Sequence, residues 1–425
     1  MPKDTANWLK SAVIYEVFTR NHSASGTFRG VAEDLERIKA LGTDILWLMP
    51  IHPIGEIGRK GEYGSPYAIR DYERINPDLG DEESFRELIN QAHALGMKVI
   101  IDVVYNHTSC DSVLTRSHPQ WFIKNQAGEL SRKIDDWSDV YDLDYSHPEL
   151  WDYLIGVLEK WLDFGVDGFR CDVASLVPVE FWLAARERLN RKKEVIWLAE
   201  SVEKCFIKRL RDMGYGCWSD PELHEAFDLT YDYDGYEYLK AYYRGETSLE
   251  AYLNHLYVQE TLYPAYAVKM RFLENHDQPR IAQIVGRGAA LRNWTVFYSL
   301  LPGAMLIYAG QETANDHWPN LFEKDPVDWS AGDPEFTKYF TNVIRLAKEV
   351  KLNYRFKDAV LVTKGVVRLT WVGKEDRIVA IVNLENRYGR VPVDFAVSGK
   401  DLLTGEPKLI QGRYCIEREP VVIRC

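Results

Sequence analysis

The chain has 425 residues, 46% hydrophobic and 27% charged, longer than one compact core usually serves and ordinary in composition for a globular protein. Its formal net charge of −12 argues against nucleic acid and anionic membrane as partners, since both would repel it. Aromatic residues are abundant, with 13 Trp, 25 Tyr and 16 Phe, which suits core packing and also stacking against sugar rings.

The first residues, MPKDTANWLKSAVIYEVFTR, hold no uninterrupted apolar stretch and no small-residue cleavage site, so no signal peptide is expected. SAVIYEVFTR (11–20) reads as a first strand and GVAEDLERIKALG (30–42) as a helix. TDILWLMP (43–50) is a second strand, DEESFRELINQAHALG (81–96) a helix with a glycine stop, and KVIIDVVYNH (98–107) a third strand. A less regular segment, 108–147, interrupts the rhythm. It resumes with the helix 147–165, the strand DGFRCDV (167–173), the helix 178–190 and the strand EVIWLAE (194–200). A helix through Met213, a strand within 225–233 and a Tyr-rich helical stretch (235–266) follow. VKMRFLENHD (268–277) is a seventh strand, 289–303 a helix, AMLIYAGQE (304–312) an eighth strand, and 334–350 a last helix. No stretch approaches membrane-spanning length without charges.

Near-continuous apolar strands alternating with helices imply a parallel sheet covered by helices. Eight such units predict an α/β fold closed as a (β/α)8 TIM barrel. An open dinucleotide-binding sheet would want a GxGxxG turn after the first strand, and FTRNHSASGTF (18–28) lacks that spacing. From about residue 355 the pattern alternates with turn signals and no helices. The expected organisation is a barrel formed by 1–107 and 148–352, a short insert at 108–147 after the third strand, and a C-terminal all-β sandwich at 353–425. The six cysteines show no CxxC spacing, so free thiols in a reducing, cytoplasmic setting are expected.

Function in such a barrel sits at the C-terminal ends of the strands. The third strand ends in Asp102, Asn106 and His107, the fourth carries Arg170 and Asp172, the fifth ends at Glu200, and the seventh ends in Asn275, His276 and Asp277. Arg170 and Asp172 share one strand face. Such a pair is either a structural ion pair or a catalytic carboxylate beside a fixed guanidinium. Any one of these acids could be a helix cap or a solvated loop residue; three at neighbouring strand ends converge on one pocket. Retaining glycoside cleavage needs an ionised nucleophile and a protonated acid across the glycosidic bond. Arg170 would keep Asp172 ionised, and the apolar IWLAES context of Glu200 favours its protonated form. The acids in KIDDWSDVYDLD (133–144) read as a solvated loop, and Cys171 as core facing the outer helices.

With DVVYNH (102–107), GFRCDVAS (168–175), LAES around Glu200 and FLENHD (272–277) in this order, the chain resembles the α-amylase family, glycoside hydrolase family 13. The resemblance covers the whole barrel. It implies that Asp172 is the nucleophile, Glu200 the acid/base and Asp277 a third carboxylate that binds and distorts the sugar. It further implies that His107, Arg170 and His276 line the subsite of the cleaved glucose, with Tyr67 rather than Tyr63 as the stacking tyrosine. Ser175 and Leu176 replace the Lys-His pair of many α-amylases, and DVAS looks closer to maltogenic amylases and neopullulanases, although the N-terminal β domain usual in that subgroup is not expected here. DLDYSHPEL (142–150) looks like an altered QPDLN motif.

The implied activity is hydrolysis of α-1,4-glucosidic bonds in maltooligosaccharides or related α-glucans by double displacement, without an organic cofactor. Transglycosylation, α-glucosidase action on short oligosaccharides, and non-catalytic carbohydrate binding on an amylase fold remain alternatives. Short or cyclic substrates are expected to be preferred, with the Tyr-rich stretch walling the cleft. Many α-amylases hold calcium between the barrel and the insert, and Asn106 matches the barrel ligand of that site. With a short insert that offers no assignable carboxylate pair, no metal is expected here.

Overall fold

In the computed structural model, which describes residues 5–425, the apolar runs become the strands of a barrel. Eight parallel strands close on themselves: β1 (Val13–Val17), β2 (Ile45–Leu48), β3 (Lys98–Val103), β4 (Gly168–Cys171), β5 (Ile196–Ala199), β6 (Leu229–Tyr231), β7 (Val268–Arg271) and β8 (Ala304–Tyr308). β1 closes the ring against β8, with Val13 level with Met305. Strands β1, β2, β5 and β8 are buried along their whole length, as strands must be when helices cover one face and side chains fill the other.

Local chemistry sets the helix ends. The helix Glu82–Ala94 starts at Asp81, whose carboxylate accepts the Ser84 N–H at 2.8 Å while the Ser84 hydroxyl accepts the Asp81 N–H at 2.9 Å, a reciprocal cap. The helix Pro148–Phe164 opens on proline and stops at Gly165, whose φ of +131° a side chain would resist. Leu150, Leu154, Leu158 and Trp161 form its buried face at helical spacing. Between β4 and β5 a Cβ on residue 168 would lie 2.2 Å from the Ile196 carbonyl oxygen. Only glycine lets the two strands pair this closely beside Arg170.

Several elements depart from the sequence reading. The helix expected over 30–42 is split into Phe28–Ala32 and Leu35–Ala40. At the break, the Asp34 carboxylate is drawn to His22 at 2.9 Å and Arg37 at 2.5 Å. The strand expected over 98–107 ends at Val103; His107–Ser109 is a separate strand that pairs antiparallel with Val140–Asp142 of the insert. The Tyr-rich stretch forms two helices, Tyr233–Tyr243 and Leu249–Leu262.

After the helix Pro334–Asn353 the chain turns all-β. A six-stranded antiparallel sheet runs in the order 355–363, 366–372, 377–383, 421–424, 397–401, 407–410, beside a two-stranded one. It docks on the barrel through specific bonds: the Trp371 indole N–H donates to the Leu300 carbonyl at 2.9 Å, and the Asn383 N–H to Asn293 Oδ1 at 2.7 Å. All six cysteines are free thiols; Cys171 is buried, Cys205 and Cys415 exposed. No helix among the described residues is long and apolar enough to cross a membrane.

Candidate active site

The C-terminal strand ends open on a pocket of about 290 Å3, lined among others by Tyr67, His107, Asp172, Glu200 and Asp277. Arg170 on β4 organises its floor and is fully buried. Its Nη1 donates to both oxygens of Asp102 at 2.8 and 3.0 Å and to Asp172 Oδ1 at 2.9 Å. Its Nε donates to the Tyr231 hydroxyl at 3.1 Å. Its Nη2 lies 2.9 Å from Glu200 Oε2, an ion pair not aligned as a hydrogen bond. One guanidinium therefore serves three buried carboxyl groups.

Asp172 and Glu200 sit just beyond the ends of β4 and β5. The turn after Asp172 places Val173, a β-branched residue, in the left-handed region at φ +33°, where such residues are strained. The turn aims the Val173 N–H at Glu200 Oε2, 2.7 Å away. Burial pushes the Asp172 carboxyl up to about 7, against the pull of Arg170, and the Glu200 carboxyl up to about 8. Desolvation thus outweighs the arginine, contrary to the simple expectation that Arg170 holds Asp172 low.

On the opposite wall His276 sits among acids. Its Nδ1 bonds Glu16 of β1, and its Nε2 lies 2.8 Å from the Tyr67 hydroxyl and 3.1 Å from Asp277 Oδ2. Burial works against the imidazolium, but Asp277 and Glu16 raise its pKa well above the usual value. A doubly protonated His276 satisfies the network: Nδ1–H faces Glu16, Nε2–H faces Tyr67, and the Tyr67 hydroxyl donates to Asp102 Oδ2 at 3.2 Å. The Tyr67 and His276 rings stack with centroids 5.4 Å apart. Burial pushes the Asp277 carboxyl up, but His276 pulls it further down, below the usual range. His107 lies 5.4 Å from the Trp137 ring, its basicity lowered by burial.

The structure thus brings Tyr67, His107, Arg170, Asp172, Glu200, His276 and Asp277 together. Tyr63 does not line the pocket; its ring packs against Arg20. Further lining residues, among them Lys60, Trp137, Asp139 and Phe322, are not evident from the sequence. Lys60 pairs with Asp139 at 3.0 Å, tying the loop after β2 to the insert. The acids of 133–144 are therefore not merely a solvated loop, since Asp139 and Asp142 are buried. The Tyr-rich helices do not supply residues to the pocket wall. Glu16 was also missed, although its own signal was present: an acid inside a fully buried apolar strand, VIYEV.

The residues around Asn106 do not fit a calcium ion. Lys133 Nζ donates to Asn106 Oδ1 at 2.9 Å and to the Leu176 carbonyl at 3.4 Å, and lies 3.8 Å from Asp142 Oδ2. The ammonium holds the point where these oxygens converge, and it would repel a cation that itself needs about six to eight oxygens. A chelator is expected to leave the melting temperature within about 1 °C of its starting value. Calorimetry with EDTA, then with added calcium, checks this; a clear fall restored by calcium would contradict it.

Comparison with known proteins agrees with this architecture. The profile of the alpha-amylase catalytic domain matches residues 13–338. The crystal structure of an α-amylase from Lactobacillus plantarum superposes with a TM-score of 0.92 at 44% identity, over 99% of this chain and 100% of that one. The structure of a noncanonic maltogenic α-amylase, AmyB, from Thermotoga neapolitana gives 0.88 at 33% identity, over 98% and 99%. The α-amylase MalA of Haloarcula japonica is 25% identical over 434 residues, which is 95% of this chain but 60% of that protein's length.

Proposed function

Because the chain belongs to the alpha-amylase family, we propose that it is a retaining hydrolase of α-1,4-glucosidic bonds in maltooligosaccharides and related α-glucans. The observation that carries this reading is the convergence of Asp172, Glu200 and Asp277 on one pocket at the strand ends, with Arg170 bound to the first two.

In the proposed mechanism Glu200 gives its proton to the glycosidic oxygen as the bond to C1 breaks. The Asp172 carboxylate forms a bond to C1 from the other face, giving a glycosyl ester. Glu200, now a carboxylate, takes a proton from water, and that water displaces Asp172 to release the sugar. Asp277, held ionised by His276, grips ring hydroxyls and stabilises the positive charge that develops on the ring. Tyr67 offers its ring to the apolar face of the sugar, His107 lines the subsite, and Arg170, buried beneath it, holds Asp172 and Glu200 in place. No organic cofactor takes part.

The pocket wall supports a preference for short or cyclic chains. The Lys60–Asp139 pair, Trp137 and Phe322 crowd the pocket from three separate segments, which disfavours a long continuous glucan. Incubation with maltotriose, cyclodextrin, pullulan and starch tests the function. Glucose and maltose from short substrates support hydrolysis, longer products would indicate transfer, and no turnover would leave only binding. We expect kcat/KM on maltotriose or cyclodextrin to exceed that on soluble starch; the reverse order would contradict this preference. The exposed free thiols Cys205 and Cys415 favour a reducing compartment and hence the cytoplasm.

A further inference from the structure

A second cavity, of about 380 Å3, lies at the opposite end of the barrel. Its floor is built from Val268, where β7 begins, and Gly303, just before β8, and the C-terminal sheet contributes Phe356 and Trp371. It is therefore a separate chamber from the carboxylate pocket at the other strand ends. Its lining is basic in a protein whose overall charge is −12. Five cations border it: Lys10, Lys269, Arg271, Lys351 and Arg355. Two are already neutralised, Lys269 by Asp220 and Asp234 at 2.5 and 2.8 Å, and Arg271 by Asp232 at 2.7 Å.

The other three have no carboxylate within ion-pair distance among the described residues, and Glu260 is the sole acid in the lining. Lys351 matters most. It stands in the last turn of the helix Pro334–Asn353, and its Nζ donates to the Gly303 carbonyl at 2.8 Å. Burial and the nearby Arg271 lower its ammonium pKa to about 7. A desolvated cation without a counter-charge is costly, and a bound anion would remove that cost. Tyr354 and Phe356, both half-buried on the cavity wall, add apolar surface beside the cations.

We propose that this cavity binds a small molecule through an oxyanion head, a phosphoryl or carboxylate group, seated between Lys351, Lys10 and Arg355, with its body against Tyr354 and Phe356. Calorimetric titration of the full chain with inorganic phosphate and with citrate, at low ionic strength, tests it and separates the two head groups. At least one anion is expected to bind saturably. Lys351→Gln is expected to weaken that binding by about tenfold or more, the loss of one charge-assisted hydrogen bond, with maltotriose hydrolysis unchanged. If Lys351→Gln fails to fold, the variant Lys10→Ala/Arg355→Ala, changed at two exposed positions, is expected to weaken binding in the same direction. Absence of saturable binding by both anions, or unchanged affinity in the folded variant, would overturn the proposal.

Discussion

Asp172→Asn is expected to leave a folded protein whose turnover of maltotriose falls by about four orders of magnitude or more. The amide keeps the shape of the carboxyl and still accepts from Arg170, which donates to Asp172 Oδ1 at 2.9 Å. It cannot form the ester to C1 on which the two-step reaction depends. Stability should hold or rise slightly. Asp102, Asp172 and Glu200 crowd one guanidinium, and removing one acid relieves repulsion among them. Melting temperature and kcat measured on the same preparation decide the matter. Near-normal turnover by a folded variant would remove Asp172 from the mechanism.

Arg170→Met is the second change with a large expected effect, and it acts on stability and activity together. Arg170 is fully buried, and its loss leaves three buried carboxyl groups without their cation. Breaking a buried charge network from one side costs about 3–5 kcal/mol. The sign with pH follows from linkage. Without Arg170 the folded-state pKa values of these acids rise further above their unfolded values, so the folded state binds more protons and stability falls as pH rises. The deficit in melting temperature should therefore be smallest near about pH 5, where these acids are protonated in both folded proteins, and widen as pH rises through neutrality, past the values of about 7 for Asp172 and about 8 for Glu200. Arg170→Lys should recover only part of the loss, because an ammonium cannot span Asp102, Asp172 and Glu200 as the planar fork does. A methionine variant as stable as the parent at neutral pH would contradict the organising role given to Arg170.

Much of this was legible in the sequence because strand ends carry the chemistry in a closed parallel barrel. Asp172 and Glu200 directly follow apolar strands, so locating those strands also locates the acids; the strand expected over 268–277 instead ends at Arg271, and Asp277 lies in the loop beyond it. What sequence did not convey was non-local. The Lys60–Asp139 pair joins residues from two loops, and no local pattern links them. Lys133 looked like one more charge in an acidic loop, yet its ammonium reaches Asn106 and the Leu176 carbonyl. Asp139 and Asp142 are buried by the insert's pairing with His107–Ser109, a contact invisible to periodicity. The balance at Asp172 is hidden from sequence for a similar reason. Proximity to a cation can be read from spacing, but the depth of burial that outweighs it cannot. Glu16 is the exception, since an acid in the middle of VIYEV already called for a buried partner, and His276 is that partner.

Double displacement at the anomeric carbon requires Asp172 and Glu200 to act as a retaining pair, with carboxyl groups about 5–5.5 Å apart in the reacting complex. Proton NMR of maltotriose hydrolysis, recorded before the products mutarotate, tests it directly. The α-anomer of the newly formed reducing end is expected to appear first and only later to equilibrate with the β-anomer. Initial accumulation of the β-anomer would contradict it.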